Sequence, residues 1–181
     1  MRIYEINDLS NTKVVEILKT GINEKLFKNE KQIENYLYSH KENAANLFYR
    51  LDNKEYKTGG YFVMTDDDDK YIASAGWYRY NSKISLAMTR MLIIPEYRTK
   101  YIFAPKVLPK MIDNSDCEYV WMTFNEYNKT IYNWFERVHQ GKSSAIGNST
   151  GANWPAIYKK FKPIGKKIVN GMEQYVVEFK K

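Results

Sequence analysis

Apolar and polar positions alternate over much of this chain, and where the period lengthens from two to between three and four the pattern changes element. Arg2–Ile6 alternates and predicts a short strand. Ser10 or Asn11 can cap a helix running to about Lys19, with Val14, Val15, Leu18 and Ile22 on one side. A second helical pattern starts near Asn29, apolar at Ile33, Tyr36, Leu37, Ala44, Leu47, Phe48 and Leu51, with a break near His40. After Gly59-Gly60 the period returns to two. Tyr61–Thr65 and Tyr71–Tyr80 form the arms of a hairpin, and Asn81-Ser82-Lys83 turns into a third strand, Ile84–Ile94.

The next stretch joins two strands through a helix. A turn at Pro95–Lys100 leads into a helix over Tyr101–Ile112, apolar at Ala104, Val107, Leu108, Met111 and Ile112. Pro109 removes one of its hydrogen bonds and should kink it. The strand Cys117–Phe124 follows. Such a crossover places its strands parallel in one sheet. Tyr127–Gln140 reads as a helix with a stripe at Ile131, Trp134, Phe135 and Val138. Gly141–Gly151 is small and polar, hence a loop, and Trp154–Phe161 is a short helix. Asn170-Gly171 between two alternating runs is the strongest short signal for a hairpin. In its first arm we expect Lys167 on the solvent side, opposite Ile164, Lys166 and Ile168. The expectation is one α/β domain over residues 1–181: a mixed sheet of about seven strands with helices on both faces.

Composition narrows the class. A chain of 181 residues, 44% hydrophobic, can bury a substantial core. No apolar window is long enough to span a membrane and the N-terminus lacks an apolar signal region, so the reading is cytoplasmic with no membrane partner. The one cysteine excludes an internal disulfide framework or a cysteine zinc site. The net charge of +7 is concentrated at the C-terminal end, where seven lysines between Pro155 and Lys181 face two glutamates. That end suits a phosphate-bearing partner: a nucleotide cofactor, tRNA or DNA. The Lys-, Asn-, Ile- and Tyr-rich usage is that of AT-rich coding sequence, phage-like or low-GC bacterial.

The order of elements resembles the GNAT superfamily of acyl-CoA N-acyltransferases, and the motif Pro95-Glu96-Tyr97-Arg98 matches the turn at which those proteins hold the pyrophosphate of CoA. The glycines of that turn are replaced here by Tyr101 and Phe103. The resemblance implies acetyl-CoA as cosubstrate, no metal, and a primary amine acceptor drawn from small molecules, proteins or tRNA. It implies that the splayed edge between Ile84–Ile94 and Cys117–Phe124 holds the pantetheine, through main-chain groups of Met91, Leu92 and Ile93. The N–H groups from Arg98 through Thr99, Lys100, Tyr101, Ile102 and Phe103 would hold the pyrophosphate, since helix N-termini attract anions. Asn125 and Tyr132 have the family spacing of an asparagine and the tyrosine that protonates the leaving thiolate; Tyr158 competes for that role.

Other candidates are weaker. No carboxylate lies on Ile84–Ile94 to act as base, so Glu126, a water chain or no base remain. His40 and His139 stand alone. The aspartates of Asp66–Lys70 lack the glycine and distal glutamate of a calcium loop and read as an acidic turn. Two alternatives to an enzyme stay open: a non-catalytic GNAT-like module binding nucleic acid or protein through the basic hairpin, and a phage-type inhibitor of a host factor.

Overall fold

The computed structural model describes residues 1–5, 48–51, 54–98, 103–142 and 156–181, together with Lys13, Glu16, Ile17, Lys19, Thr20 and Lys31. Nine strands are assigned among them: β1 Arg2–Glu5, β2 Phe48–Leu51, β3 Lys54–Lys57, β4 Gly59–Thr65, β5 Tyr71–Arg79, β6 Ile84–Ile93, β7 Tyr119–Phe124, β8 Lys162–Val169 and β9 Met172–Lys180. Three helices accompany them: α1 Phe103–Asn114, α2 Lys129–His139 and the single turn α3 Ala156–Lys159. The strand order is β1-β4-β5-β6-β7-β9-β8, a mixed seven-stranded sheet, with β2 and β3 paired separately. Two compact units emerge. One holds residues 1–82 and 87–116, the other residues 83–86 and 117–181. Among the described residues no helix is long and apolar enough to cross a membrane.

In the first unit β4 is antiparallel to β1 and β5, and every residue of β4 is buried. That follows from its run of Tyr61, Phe62, Val63 and Met64, apolar on both faces. α1 packs on β4 and β5. Its buried residues are Phe103, Val107, Leu108, Met111 and Ile112, the spacing expected for a one-sided helix. Pro109 lies inside α1, with no N–H to give the Pro105 carbonyl, and the helix continues to Asn114. Asn114 then ties the unit together. Its Oδ1 accepts from Trp77 Nε1 (2.9 Å) and Lys57 Nζ (2.7 Å), while its Nδ2 donates to Glu5 (3.0 Å). Gly60 is required beneath this network, because a Cβ there would stand 2.6 Å from both Asn114 Oδ1 and Trp77 Nε1. The aspartate turn is held by its own hydrogen bonds. Asp66 caps the N–H groups of Asp68 and Lys70, and Asp69 takes Lys13 (2.7 Å), Tyr4 (3.1 Å) and Arg2 (3.2 Å).

In the second unit β7 pairs antiparallel with β9 and β9 with β8. The start of β6 runs parallel to β7, with Ile84, Ser85 and Leu86 opposite Tyr119, Val120 and Trp121. α2 packs on β7, β8 and β9. Between them Phe135 lies within 6.4 Å of the rings of Phe124, Trp134, Tyr158 and Phe161. The closing hairpin turns at Asn170 and Gly171, both with positive φ (52° and 75°), as a two-residue hairpin loop demands.

Several expectations are corrected. Phe48 and Leu51 belong to a strand, β2, paired so that Leu51 faces Lys54. Phe48 and Leu51 are three apart, a spacing that favours a helix, and here pairing with β3 prevails over it. The helix after β7 begins at Lys129, following a 3-10 turn at Glu126–Asn128. Its buried face is Tyr132, Trp134 and Phe135, while Ile131 is exposed. In β8, Lys167 is exposed as expected, but so are Lys166 and Ile168, and Val169 is the buried residue. The cause is a one-residue bulge. Pro163 faces Val177 and Lys166 faces Tyr175, so three steps on β8 match two on β9. Lys166 therefore lies over the Tyr175 ring instead of beside apolar neighbours. The expected helical residues Val14, Val15, Leu18, Ile22 and 33–47 lie outside the described residues, as does the loop at 143–151.

Candidate active site

The candidate chemistry divides between the two units. In the first, β6 carries Met91, Leu92 and Ile93. The Ile94 N–H donates to the Ile72 carbonyl on β5 (3.0 Å), and the Leu92 carbonyl accepts from the Tyr71 hydroxyl (3.3 Å). Main-chain groups alternate along a strand, so those of Leu92 point toward β5 and those of Met91 and Ile93 toward the opposite edge. One residue of the strand before them leaves the extended region. Met88 adopts φ 58°, a left-handed conformation that a methionine reaches only at a cost. The next residue is pinned to β5, Thr89 Oγ1 donating to the Gly76 carbonyl at 3.0 Å. Backbone outliers of this kind cluster at functional sites. No sequence signal announces this one, since methionine has no left-handed preference.

β6 ends in a 3-10 turn, Pro95–Tyr97. Arg98 follows, exposed, its Nε donating to the Ile93 carbonyl at 3.0 Å. That bond holds the guanidinium at the turn while its terminal nitrogens have no partner among the described residues. Thr99, Lys100, Tyr101 and Ile102 lie outside the described residues. Phe103, at the second glycine position of the motif, is 3% exposed. It heads the buried stripe of α1 with Val107 and Met111. Its ring therefore joins the core face of the helix, and the helix mouth keeps its N–H groups and its dipole.

In the second unit Tyr132 is buried by α2, its ring 4.9 Å from that of Tyr175 and tilted by 33°. Its hydroxyl accepts the Gly165 N–H at 3.1 Å. Burial pushes the Tyr132 phenol up, the Gly165 N–H pulls it down, and Glu136, one turn along α2, pushes it up again. Tyr132 therefore keeps its proton at neutral pH. Asn125 is exposed and works as a cap: its Oδ1 accepts the Asn128 N–H at 3.1 Å. Tyr158 packs edge-on to Trp134, and burial pushes its phenol far up. Glu126 approaches the Tyr175 hydroxyl (3.4 Å), Lys129 (3.4 Å) and Lys166 (3.9 Å). The Tyr175 hydrogen bond first, then Lys129, hold its carboxyl below the usual range, which makes it a weak base. Gly165 and Tyr175 were not read from the sequence. One contributes a main-chain N–H and the other is one of sixteen tyrosines, so neither residue type advertises a role.

The first unit thus offers a basic turn at a helix start beside a strand with a left-handed residue, and the second offers a buried, protonated phenol. Two solved structures that share this fold are acetyltransferases. An acetyltransferase from Streptococcus agalactiae superposes with a TM-score of 0.56 at 13% identity, covering 99% of this chain and 98% of that one. A mutant of the spermidine N-acetyltransferase SpeG from Vibrio cholerae superposes with a TM-score of 0.52, also at 13% identity, covering 99% of this chain and 95% of that one. The fold is that of these acetyltransferases, the GNAT-like arrangement expected from the order of elements. No family model and no curated protein sequence matches the chain.

Proposed function

We propose that the chain is an N-acyltransferase moving an acetyl group from acetyl-CoA to a primary amine. The observation that carries this reading is the β6–turn–α1 passage, where Arg98 is held on the Ile93 carbonyl and the Phe103 ring is turned into the core. In the first unit Arg98 and the N-terminus of α1 receive the pyrophosphate. The edge groups of Met91 and Ile93 pair with the pantetheine amides, and one of their N–H groups polarises the thioester carbonyl. The amine nitrogen then bonds to the acyl carbon as the carbon–sulfur bond breaks. The thiolate takes the proton of Tyr132, and the proton released by the nitrogen passes to solvent, from which Tyr132 recovers one. A phenol suits this step because it is neutral before transfer and close in acidity to a thiol. The SpeG likeness makes polyamines a first choice of acceptor to test, alongside other primary amines, proteins and aminoacyl-tRNA.

Calorimetry with acetyl-CoA should give micromolar binding, on the order of −8 kcal/mol. Arg98→Ala should weaken it about tenfold, the loss of one exposed charge-assisted contact. Absence of both heat and thermal shift at millimolar CoA rules the reading out.

A second reading, a binding module for nucleic acid, draws on four lysines. Lys159, Lys160, Lys162 and Lys167 are all exposed, with no ion pair among the described residues. Its mark would be affinity for generic RNA or DNA falling steeply between about 50 and 200 mM salt.

A further inference from the structure

The glycine at position 165 has no packing reason to be glycine. A Cβ there would meet nothing within 4 Å. What demands glycine is the backbone, at φ 82°, within the bulge where Pro163 and Lys166 shift register against β9. β8 is the edge strand, so a regular ladder would pair every second N–H with β9 and leave the others facing outward in the plane of the sheet. Here the Gly165 N–H points to the Tyr132 hydroxyl, thirty-three positions earlier in the chain. Around the rest of Tyr132 the Tyr175 ring stacks at 4.9 Å, with Lys129 and Lys166 5.4 and 5.0 Å from its centroid, and Glu136, one turn along α2, takes the hydroxyl from its own helix.

We propose that the Gly165 main-chain N–H, at a left-handed bulge, is the positioning group for Tyr132. It fills one acceptor direction of the hydroxyl oxygen, which leaves the O–H to point elsewhere, and it stands ready beside the charge that appears on the oxygen when the proton leaves. A hydroxyl with one donor already in place has fewer orientations to sample. As the phenolate forms, the same N–H becomes a hydrogen bond to a charged acceptor, which is stronger than one to a neutral oxygen. The inference rests on the reading of Tyr132 as proton donor, and it makes the bulge, a feature of a strand edge, part of the catalytic apparatus.

The test needs no substrate. With tyrosine labelled at the ζ carbon, the Tyr132 signal is identified among sixteen by its disappearance in Tyr132→Phe. Its titration is followed through the alkaline range in which the far-ultraviolet circular dichroism stays constant. The charged and titratable groups around it are Glu136 and Lys129 on α2, Glu126 before it, Tyr175 on β9 and Lys166 on β8, and all are retained. Gly165→Val, which resists positive φ, should move the Tyr132 midpoint up by about one pH unit, the worth of one hydrogen bond to a phenolate. Gly165→Asn, which accepts positive φ, should restore the wild-type midpoint. In Tyr132→Phe, a mild substitution, the Gly165 amide proton should shift upfield and exchange faster with solvent. An unmoved midpoint in Gly165→Val, an equal shift in Gly165→Asn, or an unchanged Gly165 amide in Tyr132→Phe overturns the proposal. If Gly165→Val does not fold, the amide measurement decides alone. Failure to bind acetyl-CoA would overturn the proposed function while leaving these three readings intact, so the two ideas fail separately.

Discussion

Phe103→Gly supplies glycine at the second glycine position of the motif that the turn after β6 resembles, where the proposed pyrophosphate would sit. If Phe103 obstructed the helix mouth, the change should improve binding. The structure predicts the opposite balance. Phe103 is 3% exposed and shares the core stripe of α1 with Val107, Leu108, Met111 and Ile112. Removing a buried phenylalanine side chain costs about 3–5 kcal/mol. Glycine in the first helical turn adds up to ~1 kcal/mol relative to alanine. For a chain of this size, about 4 kcal/mol lowers the melting temperature by roughly 8–16 °C. Phe103→Leu, which keeps much of the volume, should lose about 1–2 kcal/mol. Affinity for acetyl-CoA, measured by calorimetry well below the melting transition, should stay within about twofold of wild type in both variants, well under the 1.4 kcal/mol that a tenfold change represents. A tenfold gain in affinity for Phe103→Gly, or a loss of stability below about 1 kcal/mol against the expected core penalty, would refute the placement of this ring in the core.

Asn114→Ala should cost about 2–4 kcal/mol in urea denaturation, because it strands the N–H of buried Trp77 as well as removing the bonds to Lys57 and Glu5. Asn114→Asp, which keeps an acceptor for Trp77, should cost less. Gly171→Ala places a Cβ where φ is 75° but where nothing lies within 4 Å, so its cost is conformational, about 1–2 kcal/mol. Acid titration of stability should find Asp69. Its hydrogen bonds from Lys13 first and Tyr4 next hold its carboxyl below the usual range. A depressed folded-state value means the stabilisation is complete above the unfolded value of about 3.9 and is lost as the pH falls below it. Asp69→Asn should therefore flatten the acid limb of the stability curve and leave a smaller difference between pH 6 and pH 3.

The elements legible in the sequence are those whose local signal and tertiary fate agree. Asn170-Gly171 needed two positive φ values and had the residue types for them. Tyr61–Thr65 carried an unbroken apolar run and is buried along its whole length. Misreadings arose where one inserted residue changes a face. The bulge at Gly165 turned Ile168 outward and Val169 inward, and the 3-10 turn at Glu126–Asn128 reset the phase of α2, so that Tyr132 is buried and Ile131 exposed. Periodicity assumes constant advance per residue, and the isolated Gly165 is the one compositional hint of the bulge. Phe48–Leu51 failed for a different reason: four residues are too few to separate a period of two from one of three to four.

The same limit governs the site. Of the groups that the proposed chemistry uses, only Arg98 and Tyr132 act through side chains. The rest are main-chain N–H and C=O groups at Met91, Ile93, Gly165 and the start of α1, and any residue but proline can supply an N–H. What selects them is conformation: the left-handed Met88 within β6, and the bulge at which the Gly165 N–H meets Tyr132. A chain can change nearly every residue type around such a site and keep its donors, provided those two backbone features remain. Such a site would tolerate the 13% identity at which this fold is shared with acetyltransferases of known structure, and Tyr101 and Phe103 at the positions where the resembling motif has glycine. It also orders the two kinds of mutation by consequence. Substitutions that preserve φ, such as Gly165→Asn, should be silent even when they alter the side chain. Substitutions that forbid it, such as Gly165→Val, should disturb Tyr132 without touching it.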